Sequence, residues 1–180
     1  MSNKHLERFF KLNTAPDIMA LKVFPNLKEI SESMAAFVAV KDHIPYALKD
    51  PSVSVVVVGD GHTPRTGVLF ARLTAWNVYS IDPVLRIADY KTDRLFLVKK
   101  KVEDILPLVA NKVVIVSVHS HASAMDSIGS TVANDKWFIN IPCCVPCDYK
   151  ENPVYSYIDD GILSPKNKID IYHIGGNHGI

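Results

Sequence analysis

The hydrophobic pattern is clearest in a stretch that begins at Val53. Val53–Val58 is a run of mostly β-branched residues, apolar on both faces, which is typical of a buried strand in a parallel sheet. The run stops at the turn Gly59-Asp60-Gly61. An apolar, helix-compatible segment at residues 67–74 then leads to a second strand at residues 76–81, which ends in Asp82. The pattern predicts strand, glycine turn, helix, strand and acid, in that order.

The rest of the chain continues the alternation of strands and helices. Further strands are predicted at residues 95–98, 112–119, 137–141, 154–158 and 169–174, and short helices at residues 84–88 and 103–109. Residues 1–50 have helical spacing, most clearly at residues 27–39 after Pro25-Asn26. These elements predict an α/β fold, namely a doubly wound, mostly parallel seven-stranded sheet with a closing antiparallel strand pair. We expect one domain over residues 1–180, with a helical cover at 1–50 and a Rossmann-like core at 51–180.

The spacing of glycines and acid predicts a ligand site. Glycines let the backbone approach a ligand where a Cβ would clash, and a helix N-terminus offers free N–H groups. Asp82 closes the next strand, 21 residues after Gly61, where a carboxylate can accept both hydroxyls of a ribose. The loops at Gly59, Asp82, His119 and Pro142 all follow strand ends and should line one crevice. The ligand expected there is an adenosine-containing cofactor.

Composition narrows the setting of the protein. The 180 residues include 20 basic and 19 acidic side chains, so net charge offers no field that would attract nucleic acid or a membrane. No apolar run approaches the roughly 20 residues of a membrane span, and the polar start lacks a signal-peptide core. Three cysteines within five positions give no disulfide framework, which favours a reducing, intracellular and cytoplasmic location.

The ordered set of elements, over roughly residues 53–173, resembles the class I S-adenosylmethionine-dependent methyltransferases. Gly59-Asp60-Gly61 resembles the glycine motif of that family, Asp82 its ribose-binding acid, and the last two strands its closing hairpin. Pro142-Cys143-Cys144 reproduces a Pro-Cys-Cys sequence that some members, including certain tRNA methyltransferases, carry after strand five. His119-Ser120-His121-Ala122 matches their His-x-Cys-Gly loop only at its leading His.

The resemblance implies S-adenosylmethionine as cofactor and a methyl acceptor beside the loops after strands four and five. RNA is the first expectation for the acceptor, on the Pro-Cys-Cys likeness alone, and a protein partner that completes the substrate site is a further expectation. The residues implied are Gly59, Asp60, Gly61, Arg65 and Asp82 for the cofactor, His119 and His121 for catalysis, and Pro142, Cys143 and Cys144 facing the substrate.

Two features depart from the family pattern. Arg65 stands where members usually have small residues, and it either contacts the cofactor carboxylate or fills the pocket. Lys99 to Lys101 occupy a region where an acidic residue often binds the adenine amino group in that family. These lysines form either a patch that contacts phosphate or a solvated loop. The Asp/Asn-Pro-Pro-aromatic loop of amino-group methylation is missing after strand four, which argues against that reaction.

Several residues have alternative interpretations. Asp60 either contacts the cofactor or caps the following helix. His119 either serves as a general base or orients the acceptor, since imidazole titrates near neutrality. His119, His121 and the cysteines make a cluster that Zn²⁺ accepts, but no standard zinc module is present, and packing of Cys143 and Cys144 as small hydrophobes is favoured over metal binding.

Three functions are consistent with this sequence. The leading hypothesis is a methyltransferase that uses S-adenosylmethionine. The second is a catalytically inactive member of the fold that acts as a binding or assembly module, with Arg65 and the lysines in the vacated site. A nicotinamide-dependent oxidoreductase shares the order of glycines and acid, although the closing strand pair argues against it. Binding of S-adenosylmethionine or of NAD would separate the three.

Overall fold

A seven-stranded sheet forms the centre of the computed structural model, which describes residues 3–175. The elements in chain order are α1 (Lys4–Phe10), α2 (Ala15–Ala20), α3 (Leu27–His43), β1 (Val53–Val58), α4 (Arg65–Leu73), β2 (Asn77–Ile81), β3 (Leu95–Val98), a 3-10 helix (Val102–Asp104), β4 (Leu108–Val118), α5 (Ala124–Gly129), β5 (Thr131–Ile141), β6 (Tyr155–Ile158) and β7 (Lys168–Ile174). Within the described chain, no helix is both long and apolar enough to cross a bilayer.

The strand order is β3-β2-β1-β4-β5-β7-β6. β1 pairs in parallel with β2 and β4, and the parallel pairing continues to β3 and β5 at the two sides. β7 runs antiparallel to both β5 and β6. The predicted fold class, a mostly parallel α/β sheet with a closing antiparallel strand pair, is confirmed.

β1 is central because its residues are apolar on both faces. All six positions are buried, and the five valines are divided between two hydrophobic clusters. Val53, Val55 and Val57 pack toward α3 and α4, whereas Val56 and Val58 pack on the opposite face. A strand buried on both faces can lie only in the middle of a covered sheet, so the valine run determines the sheet centre.

The helices at residues 3–43 belong to the same core as the sheet. α3 begins where expected, because the Asn26 side chain accepts a hydrogen bond from Glu29 N–H at 3.0 Å and so caps the helix. It buries Ile30, Met34 and Phe37 in the cluster that contains α4 and one face of β1. The helix runs past the predicted end at residue 39 to His43.

The helical cover is uneven. α3 and α4 cover one face of the sheet, and α1 packs against α3. The opposite face is covered by residues of the short 3-10 helix, of α5 and of the segment between β5 and β6, including Val102, Ala124 and Tyr149. This thin cover leaves the carboxyl ends of the parallel strands open on that side.

The structure corrects two predicted helices and two predicted strand starts. Residues 84–88 are not helical, because Asp82 Oδ1 accepts from Val84 N–H and Arg86 N–H donates to the His62 carbonyl. The predicted helix at residues 103–109 shortens to the 3-10 helix. β4 and β5 instead begin earlier than predicted, because their first residues pair with each other, Leu108 with Thr131.

Candidate functional site

The loops after β1 and β4 meet where the strand order changes direction. Gly59 follows β1 with φ of +71°, and a Cβ built there would lie 2.2 Å from Ser120 Oγ. The loop after β4 therefore approaches Gly59 closely, so the space that the sequence assigned to a ligand at this glycine is taken by Ser120 of the protein itself. In open α/β sheets, ligands bind beyond the carboxyl ends of the strands at this point.

A cavity of about 330 Å³ opens at this edge of the sheet. It is bounded by residues that follow four neighbouring strands: Gly59 after β1, Asp82 and Pro83 after β2, Lys100, Lys101, Val102 and Glu103 after β3, and Ser120, His121 and Ala122 after β4. The volume is at the small end of ligand pockets, which span about 300–1,000 Å³. Pro142 borders a separate small recess with Ser120 and Cys147, so the loop after β5 lies beside this cavity.

Asp82 points toward the glycine turn. Its Oδ2 accepts a hydrogen bond from Gly61 N–H at 2.9 Å, and its Oδ1 accepts from Val84 N–H at the same distance. Each carboxylate oxygen can accept a second hydrogen bond, so the side chain can still receive two hydroxyl donors from the cavity. Gly59 and Asp82 both border the cavity, whereas Gly61 is joined to Asp82 by this hydrogen bond but is not among the lining residues.

Asp60 lies away from this cavity and holds the start of α4. Its buried carboxylate accepts from Thr66 N–H and Gly67 N–H, both at 2.9 Å, and from the Ser80 hydroxyl at 2.8 Å. Burial raises the pKa of this carboxyl above its ordinary value, although the hydrogen bonds oppose the shift. Of the two sequence interpretations, the structure has Asp60 in the capping role, and its oxygens are already occupied there.

Arg65 lies on the α3 side of Gly59. Its Nε and Nη2 donate to the Asp60 carbonyl, and its Nη1 forms an ion pair with Glu29 of α3 at 2.7 Å. Arg65, Glu29 and Ser33 border a recess of only about 10 Å³ that shares Gly59 with the larger cavity. Arg65 therefore leaves the larger cavity clear and closes a narrow space next to it.

His119 turns toward α3. Its φ of +50° is unusual for a residue with a Cβ, and its Nε2 lies 3.1 Å from Oε1 of the buried Glu32. Burial would raise the pKa of Glu32, but the contacts with His119 and Lys28 outweigh it and hold the pKa below its ordinary value. The predicted pair of crevice histidines is therefore divided, with only His121 in the cavity wall.

Sequence analysis missed Glu32. It lies on the buried side of α3, in the sequence Ser31-Glu32-Ser33, where neighbouring positions are also buried. A charged residue between two serines in a run of small and apolar helix residues was the signal that could have revealed it. An unpaired charge would be costly at such a position, so a partner is required. Lys28 supplies one at 2.9 Å, and His119 the other.

His121 meets the cysteine loop. Its Nε2 lies 3.6 Å from Cys144 Sγ, and the sulfurs of Cys143 and Cys144 are 3.7 Å apart. Cys143 Sγ also contacts the Ser120 carbonyl at 3.7 Å. Cys147 lies elsewhere, with its sulfur 3.9 Å from the Tyr172 hydroxyl. The loops after β4 and β5 are thus joined by one imidazole and two thiols.

The sheet order and this crevice define a doubly wound α/β protein with a cavity at its switch point. No model of a known protein family and no curated protein sequence matches the chain. Among solved structures, it is similar to a proposed S-adenosyl-L-methionine-dependent methyltransferase from Methanococcus maripaludis, with a TM-score of 0.45 and 12% identity over 68% of this chain. The matched region spans 61% of that protein.

A second similar structure is a variant of MtNAS in complex with S-adenosylmethionine. The TM-score is 0.49 with 11% identity, and the match covers 94% of this chain and 70% of that one. MtNAS in complex with MTA and tNA gives a TM-score of 0.38 with 13% identity over 96% of this chain and 65% of that chain. At these identities the likeness concerns the fold, and we take no residue role from it.

Proposed function

We propose that this protein binds S-adenosylmethionine at the carboxyl end of its parallel sheet and transfers the methyl group to an acceptor. The observation that carries the proposal is the hydrogen bond between Gly61 N–H and Asp82 Oδ2. It joins the glycine bend to Asp82 beside a cavity that Gly59 and Asp82 both border, at the switch point where nucleoside ligands bind in this class of fold. The resemblance seen in the sequence then favours the sulfonium cofactor over others.

The adenosine half of the cofactor fits the cavity of about 330 Å³. Asp82 would accept the two ribose hydroxyls with the lone pairs that its backbone hydrogen bonds leave free. Val102, which is buried in the wall, offers an apolar surface for the base. Glu103 also borders the cavity and supplies a carboxylate after β3, slightly later than the position at which the family pattern has its acid.

To reach Arg65, the methionyl half would have to pass Gly59 into the recess of about 10 Å³ that Arg65 and Glu29 now close, so binding requires this recess to open. Gly59 borders both the cavity and the recess that contains Arg65 and Glu29. The guanidinium is paired with Glu29 at 2.7 Å, so binding of the cofactor carboxylate requires Arg65 to exchange one carboxylate for another. Arginine recognises carboxylates well because its planar fork can donate two parallel hydrogen bonds.

When bound, the cofactor supplies a methyl group that its sulfonium already activates. The protein has to align donor and acceptor, exclude water and take a proton where the acceptor needs it. His121 in the cavity wall is placed to meet an acceptor, with Pro142, Cys143 and Cys144 on the adjacent loop. His119 faces Glu32 of α3 and does not border the cavity, so we assign it no contact with the acceptor. RNA as acceptor stays a prediction that depends on the Pro-Cys-Cys likeness.

Calorimetric titration with two ligands tests both halves of this site. We expect S-adenosylmethionine and 5′-methylthioadenosine, which lacks the amino acid part, both to bind the wild-type protein. Asp82→Ala should lower the affinity for both at least about tenfold, since each factor of ten corresponds to about 1.4 kcal/mol. Arg65→Ala should lower the affinity for S-adenosylmethionine by a similar factor and change that for 5′-methylthioadenosine by less than about twofold.

Asp93→Ala is the matched control, because this aspartate is exposed in the segment between β2 and β3 and borders no part of the cavity. Thermal unfolding of each variant checks that the fold is kept. Absence of binding to the wild-type protein would contradict the proposal and favour the inactive binding module. Binding of NAD without S-adenosylmethionine would favour the oxidoreductase.

A further inference from the structure

Two thiols and one imidazole converge at the ends of β4 and β5. Within residues 3–175, His121, Cys143 and Cys144 form a group whose candidate ligand atoms all lie within 4.8 Å of one another. These side chains come from two loops that follow paired, parallel strands, so the sheet holds their backbones at a fixed separation.

The distances match the edges of a zinc tetrahedron. With Zn–S of about 2.3 Å and Zn–N of about 2.0–2.1 Å, two sulfur ligands lie about 3.8 Å apart and a sulfur and a nitrogen about 3.5–3.6 Å apart. The two sulfurs are observed 3.7 Å apart, and Cys144 Sγ lies 3.6 Å from His121 Nε2. Two of the three edges therefore already have the required length.

We propose that His121, Cys143 and Cys144 bind one Zn²⁺ ion. Thiolate and imidazole are the ligands that zinc prefers in proteins, and three protein ligands are typical of zinc sites that keep one position open. The third cysteine, Cys147, contacts Tyr172 and lies outside the group. The proposal concerns this cluster alone and holds whether or not the chain transfers methyl groups.

The open position should face the cavity, because His121 is both a ligand and part of the cavity wall. Zinc sites with two thiolates and one imidazole hold water or a substrate atom in the open position, and a thiolate is among the ligands that zinc accepts there. On binding, the thiol loses its proton to the buffer and its sulfur displaces the bound water. The site thus predicts a class of small molecule, the thiols, that can bind next to the proposed adenosine cavity.

Metal titration of the purified protein tests the site. The thiols are kept reduced with a phosphine, and Zn²⁺ binding is followed by competition with a chromophoric chelator. We expect one equivalent per chain. Cys143→Ser, Cys144→Ser and His121→Ala should each lower the affinity at least about tenfold, because loss of a residue that only hydrogen-bonds a metal ligand typically costs about 10–100-fold. Cys147→Ser is the matched control and should bind like the wild type.

Co²⁺ in place of Zn²⁺ gives a spectroscopic readout of the ligands. A tetrahedral site with thiolates should show sulfur-to-cobalt charge-transfer absorption, which weakens in Cys143→Ser and Cys144→Ser and persists in Cys147→Ser. Addition of 2-mercaptoethanol should shift this spectrum if one position is open. Circular dichroism of the metal-free variants checks their folding.

Three results would overturn the inference. The first is the lack of one-equivalent binding by the reduced wild-type protein. The second is unchanged affinity in the Cys143→Ser/Cys144→Ser double variant, which would show that other residues bind the metal. The third, a cobalt spectrum that does not respond to thiol, would contradict the open position. None of these readouts depends on S-adenosylmethionine, so failure here and failure of the proposed function are distinguishable.

Discussion

Asp60 and Asp82 flank the same glycine turn but have different surroundings. Asp60 is enclosed by α4 and Ser80 and accepts three protein hydrogen bonds, whereas Asp82 borders the cavity. The sequence could not separate the capping role from the ligand role for Asp60, because a short carboxylate two residues after a strand suits both. Burial decides between them, since an enclosed carboxylate must be satisfied by protein donors.

Gly59 has no room for a side chain. We expect Gly59→Ala to lower the free energy of unfolding by about 1–3 kcal/mol, because the φ of +71° is strained for alanine. The added Cβ would also lie 2.2 Å from Ser120 Oγ and 3.1 Å from Ser120 Cα, so the loop after β4 must shift. Urea denaturation measures the change.

Gly129→Ala is the control for that substitution. Gly129 is at the end of α5, and no atom lies within 4 Å of a Cβ built there. We expect no loss of stability and a gain of up to about 1 kcal/mol, because alanine leaves the unfolded chain fewer conformations than glycine does. Equal effects at the two glycines would show that the contact between Gly59 and Ser120 is not a constraint on the fold.

At the scale of elements, α4 depends on a cap that comes from outside the helix. Pro64 precedes the helix without a side-chain hydrogen bond, and the Asp60 carboxylate accepts from Thr66 N–H and Gly67 N–H instead. Because Ser80 of β2 donates to the same carboxylate, the cap also joins β2 to the start of α4. One side chain therefore connects the turn, the helix and the neighbouring strand.

Asp60→Ala should lower the free energy of unfolding by about 1–3 kcal/mol, since it leaves buried donors without an acceptor. Asp60→Asn should cost less, because it keeps an amide oxygen and removes a charge that burial disfavours. Asp17→Ala, in the exposed first turn of α2, is the control and should change little. Chemical denaturation at neutral pH provides the measurement. A larger loss for the asparagine variant than for alanine would contradict this account.

At the scale of the whole molecule, a buried pair joins the two ends of the described chain. His5 Nε2 in α1 lies 2.9 Å from Asp159 Oδ2, between β6 and β7. Burial lowers the pKa of His5 below its ordinary value of 6.5, although Asp159 opposes this and the charges of Lys4 and Arg8 add to it. Burial would raise the pKa of Asp159, but the contacts with Lys4 and His5 outweigh burial and hold this pKa below its ordinary value of 3.8.

Acidification should therefore destabilise the fold in two stages. Below pH 6.5 the unfolded chain takes up a proton at His5 that the folded state binds less readily, so stability falls until the lowered pKa is reached. Asp159 and Glu32, whose folded pKa values are lowered, add a loss when the pH falls through those values. Denaturant unfolding between pH 8 and pH 3 should show both stages.

His5→Asn tests the first stage. Asparagine can still donate to Asp159 but does not titrate, so the variant should lose less stability than the wild type when the pH is lowered from about 7 to about 5. The stage that belongs to the carboxyl groups should remain in the variant. Parallel stability curves for wild type and variant over that range would exclude His5 as the titrating group.

The sequence by itself determined the central architecture. A run of valines buried on both faces can only be a middle strand, so β1 and the parallel sheet around it follow from residue type. The closeness of the glycine turn and Asp82 was also predictable from the sequence. Neighbouring parallel strands end at the same edge of the sheet, so the residues that follow them lie close together. Residues 84–88 show the limit, because their apolar spacing suits a helix, whereas the hydrogen bonds to Asp82 and to the His62 carbonyl hold the backbone in a turn and an irregular segment.

Only the tertiary structure decided which side chains share the site. Glu32 and His119 are far apart in sequence and meet because α3 packs over the end of β4. His121 and Cys144 meet because the loops after β4 and β5 leave paired strands side by side. Local patterns specify which elements form, whereas these contacts depend on helix position and loop direction, which no short stretch of sequence encodes.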